Sequence, residues 1–180
     1  MNNSWLKIAS PAVAVVSLAT PLYAVQYFTV AEAQKLCFPQ ADRFEQAHLR
    51  FTPQEIAEIE KLSGQKVSTG GEQVWKAQLG EKLLGYFIVD YVIGKHLAID
   101  YAVALTPEGS VKQVEIVAYR ETYGGEIRGA TWRQQFVGKT VQSALALNDD
   151  ITNIGGATLS CRHVTQGIKR VLAVYETCLK

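Results

Sequence analysis

The apolar positions of the chain change period along its length. Between residues 30 and 37 they fall at helical spacing, with Val30, Ala33, Leu36 and Cys37 on one face. Thr29 and Glu32 form a capping box in front of this face, and Pro39 ends it. A second box, Thr52-Pro53-Gln54-Glu55, opens another helix with proline at its favoured first position. Ile56, Ile59 and Leu62 line one side of that helix, Gly64 closes it, and Gly70-Gly71 mark a loop.

From residue 74 the period becomes that of strands. "VWKAQLG", "LLGYFIVDYVI" and "LAIDYAVAL" are rich in β-branched and aromatic residues, and Gly94-Lys95-His96 is a tight connection between the last two. Pro107-Glu108-Gly109-Ser110 is a turn. The strand "VKQVEIVAYRE" follows, with Val114, Ile116 and Ala118 alternating toward one face. Connections this short favour antiparallel neighbours. A glycine-rich stretch then leads to Trp132, Gln135 and Phe136, which predict a short helix on the sheet. "TVQSALAL" (140–147) fits a helix or a strand equally well. The last element is a long helix with one apolar stripe: Cys161, Val164, Ile168, Val171, Leu172 and Tyr175. Helices before and after a run of strands predict an α+β domain. Its antiparallel-rich twisted sheet carries N-terminal helices and a C-terminal helix packed on it.

The first 24 residues follow a different pattern. Lys7 precedes an apolar run from Ile8 to Leu22, and the run ends in Leu22-Tyr23-Ala24. This is the layout of a signal peptide cleaved after Ala24. The alternative is a short membrane anchor, but the run is broken by Pro11 and Pro21 and falls below the roughly 20 apolar residues of a spanning helix. The division predicted is therefore a leader or anchor over 1–24 and one domain over 25–180, with a helical N-terminal extension at 25–70. The protein is expected to be exported, periplasmic or at the outer face of the cytoplasmic membrane.

Composition narrows the function. A formal net charge of +1 over 180 residues argues against a nucleic-acid partner. Removing Lys7 with the leader leaves the mature chain neutral. Export implies an oxidising compartment, yet three cysteines (Cys37, Cys161, Cys178) leave at least one without a partner in the chain. No Cys-x-x-Cys pair of the zinc or haem type is present, and His48, His96 and His163 lack ligand spacing. No metal site and no catalytic acid or nucleophile is predicted.

The candidate chemistry lies where the last helix begins, in "NIGGATLSCRH" (153–163). Gly155 and Gly156 permit a sharp turn or a close approach, and Thr158 and Ser160 can each cap a helix. A glycine-rich helix entry with ordinary caps would look the same. On the same plain reading Cys161 is a buried thiol, Trp75 and Trp132 are core residues, and His163 is a surface or capping histidine.

The run Gly155-Gly156-Ala157-Thr158, followed by Leu159-Ser160 and the helix, resembles the FMN-binding domain family. That family includes flavin subunits of the Rnf and Na⁺-translocating NADH:quinone oxidoreductase complexes. The resemblance extends upstream. Glu121-Thr122-Tyr123-Gly124-Gly125 stands where the family has a Glu-Thr and a glycine-rich loop, and Trp132, Gln135, Phe136, Gly138 and Lys139 match an aromatic and a Gln-Phe-x-Gly segment. In order it covers about residues 83 to 175. Gly155 stands where the motif has serine, and Thr152 stands where an acidic residue is common, with Asp149 and Asp150 just upstream.

The resemblance implies FMN joined through its phosphate to the Thr158 hydroxyl by a flavin transferase that uses FAD as donor. It implies cofactor contacts from Gly155, Gly156, Ala157, Leu159 and Ser160. Glu121, Thr122, Gly124 and Gly125 are candidates for ring and phosphate contacts, Glu121 being equally a structural hydrogen-bonding group. A helix N-terminus supplies the N–H donors and positive potential that a phosphate needs. The function implied is electron transfer between a membrane or extracytoplasmic donor and an acceptor, with no substrate chemistry of the protein's own. The alternatives are a binding or interaction module of the same fold without stable flavin, and a flavin-dependent reductase. The chain lacks the Gly-x-Gly-x-x-Gly nicotinamide fingerprint that the reductase would favour.

Overall fold

Both capping boxes close in the computed structural model of the protein, which describes residues 25–67 and 73–180. In helix α1 (Val30–Cys37) Glu32 N donates to Thr29 Oγ1 at 3.2 Å and Glu32 Oε2 accepts from Thr29 N at 2.7 Å. Helix α2 (Pro53–Ser63) repeats the arrangement with Thr52 and Glu55, and ends on Gly64 in the left-handed conformation. The leader over 1–24 and the Gly70-Gly71 loop lie outside the described residues.

Six strands form one antiparallel sheet. They are β1 (Val25–Gln26), β2 (Arg43–His48), β3 (Gln73–Leu79), β4 (Lys82–Ile93), β5 (Ala98–Leu105) and β6 (Val111–Tyr119), in the order β1-β6-β5-β4-β3-β2. The α+β class and the run of antiparallel neighbours from β3 to β6 follow from the short connections. Strand β2 does not follow from the pattern. Its six residues carry only Phe44 and Ala47 as apolar positions, because an edge strand with an open face has no need of a full alternation. The 25–70 region is therefore two helices around an edge strand, and β1 adds a further short strand beside β6.

One face of the sheet carries helix α4 (Thr158–Cys178), 21 residues and about 30 Å long. Ile99, Tyr101, Val103 and Leu105 of β5 meet the α4 stripe Cys161, Val164, Ile168, Val171 and Leu172, all fully buried. Gly167 allows the closest approach, since a Cβ there would lie 2.1 Å from Tyr101 Oη. Helix α1 covers the opposite face through Ala33 and Cys37 against Phe87, Ala102 and Ala104. Helix α2 packs on α4, with Ile59 against Ala173 and Val174. The three cysteines thus belong to three separate clusters and are free thiols.

Strand β6 departs from simple alternation. Ile116 pairs with Tyr101, but Ala118 pairs with Asp100, so Val117 is an extra residue in the ladder. Such a bulge shifts the phase of the side chains that follow it. Val114 and Ile116 face α4 as expected; Ala118 does not, and Tyr119 takes its place. Residues 140–147 are neither helix nor strand but turns. Asp150 holds them by accepting from Leu145 N at 3.1 Å and Ala146 N at 2.8 Å, while bridging to Lys139 at 2.8 Å. Short helix α3 (Ala130–Gln134) forms where Trp132 predicted it, with Phe136 fully buried just beyond its end.

Candidate functional site

The start of α4 is built unlike the starts of α1 and α2. Its N-cap is Ala157, which offers no side-chain oxygen, and its first turn carries no acidic residue. An α-helix leaves its first N–H groups without partners inside the helix. Here Thr158, Leu159 and Ser160 supply them at the positive end of a long dipole. Neither Thr158 nor Ser160 caps the helix as the sequence suggests. Thr158 is the first helical residue, and its Oγ1 accepts from Asn153 Nδ2 at 3.0 Å. Ser160 is buried and its Oγ lies 2.9 Å from Tyr119 Oη. Tyr119 Oη donates to the Tyr123 carbonyl at 2.5 Å, so Ser160 is the donor of this pair.

A cleft of about 410 Å³ opens at this helix end. That is within the roughly 300–1,000 Å³ of small-molecule sites. Gly156, Ala157, Thr158, Leu159 and Ser160 form one wall, and Glu121, Thr122, Tyr123, Lys95 and His96 form the other. Seven of the ten residues singled out in the sequence therefore meet in one place. Gly155, Gly124 and Gly125 do not line it. Gly155 precedes the wall with nothing within 4 Å of a Cβ built on it. Gly124 stands behind it in the left-handed conformation (φ +90°), where a Cβ would meet Tyr119 Oη at 2.7 Å and Ser160 Oγ at 3.0 Å. Gly125 opens a 3₁₀ turn, Gly125–Arg128.

The cleft has apolar surface on both walls. Tyr123 is 83% exposed and Leu159 38%, so both present uncovered surface at the cleft. Lys95 contributes a cation and Glu121 a carboxylate to the wall facing the helix start. Thr158 is half-buried and lines the cleft. On its far side Thr158 also borders a second cleft with Arg162, Gln166 and Lys169.

Glu121 shapes the wall through the backbone. Its Oε1 accepts from His96 N at 2.5 Å and Leu97 N at 2.8 Å, closing the connection from β4 to β5. Burial works to raise its carboxyl pKa, but the N–H groups of Leu97, His96 and Lys95 outweigh it and hold the group below the usual carboxylate range. Burial pushes the Tyr119 phenol up, partly offset by Ser160. His163 faces the carbonyls of Ile93 (2.6 Å) and Gly94 (3.1 Å) through Nδ1, so it donates there and ties α4 to the end of β4.

The approach to Thr158 is clamped from α3. Trp132 Nε1 donates to the Thr152 carbonyl at 2.9 Å, and Thr152 N donates to Gln135 Oε1 at 2.7 Å. Asp150 is committed to Lys139 and the 145–146 backbone. Sequence reasoning gave no role to Tyr119 or Asn153, and took in Tyr123 only as part of the Glu121–Gly125 loop. Tyr119 reaches the site only through the bulge, which no local pattern announces. Asn153 was within reach, being a polar amide five residues before Thr158.

Residues 94–173 match the model of the FMN-binding domain family, a segment that contains every residue lining the cleft. The chain is 30% identical over 115 residues, 59% of its length, to a subunit of the proton-translocating ferredoxin:NAD(+) oxidoreductase complex of Clostridium ljungdahlii, and it spans 62% of that relative's length. Its backbone is similar to the crystal structure of Shewanella oneidensis NqrC, at 17% identity and a TM-score of 0.47, over 77% of this chain and 70% of that one. The match of residues 94–173 to the FMN-binding domain model gives FMN as the cofactor of this segment.

Proposed function

We propose that the protein is an exported electron carrier whose FMN is held by a phosphoester on Thr158. The observation that carries this reading is Thr158, half-buried at the uncapped start of α4 and lining a cleft with apolar surface. The free N–H groups of the first turn suit a phosphate, and Lys95 adds positive charge. Tyr123 and Leu159 offer apolar cover for a flat ring, and the Thr122 hydroxyl offers a donor at its edge. Bound FMN supplies one- and two-electron chemistry; the protein holds it, orients it and sets its surroundings.

The partners fit the same reading. A flavin transferase makes the ester, and the redox donor and acceptor lie at a membrane, as the membership of a relative in a translocating complex suggests. Among the described residues no helix is long and apolar enough to cross a membrane. Export rests on the leader pattern at 1–24.

Co-expression with a flavin transferase should give yellow protein that keeps its flavin through denaturation, with intact mass raised by one FMN less water. Thr158→Ala should remove the covalent flavin completely. Flavin retained through denaturation in that variant would move the attachment elsewhere. Colourless wild-type protein would favour the module without flavin.

A further inference from the structure

The amide of Asn153 is satisfied at one end only. Its Nδ2 donates to Thr158 Oγ1 at 3.0 Å, while its Oδ1 is buried without a hydrogen-bond partner among the described residues. Buried polar atoms are nearly always paired, so an orphan calls for a reason. An amide serving the fold would be satisfied at both ends, as Gln135 and Trp132 satisfy the Thr152 backbone in both directions. The side-chain partner of Asn153 is the hydroxyl of Thr158, a residue that lines the cleft.

We propose that Asn153 is a positioning residue for the modification of Thr158. This rests on the phosphoester reading above. In the reaction, Thr158 Oγ1 forms a bond to the FMN-side phosphorus of FAD. The phosphoric anhydride bond of FAD breaks, AMP leaves with the bridging oxygen, and the hydroxyl proton is released. Donation from Nδ2 occupies one lone pair of Oγ1, directs the O–H away from Asn153 and leaves the other lone pair toward the cleft. The ester oxygen has no proton and can only accept, so the donor at Nδ2 suits it as well. The same hydrogen bond therefore serves both states. A carboxylate at this position could accept from the free hydroxyl, but it would face the negatively charged phosphodiester with nothing to donate.

The test uses flavin-free protein, FAD, Mg²⁺ and a flavin transferase, with intact mass followed against time for wild type, Thr158→Ala, Asn153→Ala and Asn153→Asp. Asn153→Ala should lower kcat for flavin attachment at least tenfold with KM for the protein unchanged and the unfolding midpoint unmoved. Asn153→Asp should be slow at neutral pH and recover as the solution is acidified, because the protonated carboxyl regains a donor. A purely structural residue would not give that pH profile. Wild-type rates in Asn153→Ala, or an effect confined to KM, would overturn the positioning role while leaving Thr158 as acceptor. No mass gain in wild type, or an equal gain in Thr158→Ala, would overturn the phosphoester reading and this role with it.

Discussion

Gly124 shows how little room separates the loop from the helix. Its left-handed backbone and the two oxygens within 3.0 Å of a built Cβ leave no space for a side chain. Gly124→Ala should cost about 2 kcal/mol in denaturant unfolding, from backbone strain and the displaced Tyr119–Ser160 pair. Gly156, Ala157, Thr158 and Leu159 were readable because they are consecutive: four adjacent residues at a helix start need no knowledge of the fold. Tyr119 was not readable, since its direction depends on which strand residue is unpaired. Glu121 was readable as a site residue but not as a bridge to the backbone of residues 96 and 97, which a sequence separation of 25 conceals.

Among the elements, the connection between β4 and β5 depends on protonation. Glu121 is held below the ordinary carboxylate range in the folded protein by backbone N–H groups. A lowered folded pKa means stability that is present above the unfolded value and is lost as pH falls through the folded one. Urea midpoints of wild type and Glu121→Gln should therefore differ at neutral pH and converge as the solution is acidified below the ordinary carboxylate range. The amide shifts of His96 and Leu97 should follow the same transition in wild type alone. Helices α1, α2 and α4 were legible in outline because capping boxes and apolar stripes are local. The edge strands β1 and β2 were not, because one is two residues long and the other exposes most of its side chains. Residues 140–147 had a pattern without an element, since Asp150 and Lys139 hold them from outside the run.

Across the whole molecule, α4 is locked to the sheet by charge as well as by packing. Arg170 reaches Asp90 of β4 at 2.5 Å, with Asp90 8% exposed, and Tyr101 Oη donates to the same carboxylate. Removing one partner of a buried pair leaves the other charge uncompensated. Arg170→Ala should cost about 3 kcal/mol in equilibrium unfolding. The site lies three turns away, so the effect on the fraction of flavin attached should be small in protein that remains folded. The α+β class and the order of the central strands were legible because each connection is short. How the two ends of the chain bracket the sheet was not, because it is decided by contacts far apart in sequence, such as Val25 with Tyr119 and Ile59 with Val174.

The extra residue Val117 has an evolutionary corollary. Excising it would leave Ala118 opposite Asp100 and Tyr119 opposite Ile99, so the phenol would stay on its present side. What would vanish is the carbonyl that accepts from Tyr27 N at 2.9 Å and Phe28 N at 3.3 Å. A lost codon here would therefore spare the pocket and loosen the N-terminal segment from the sheet edge.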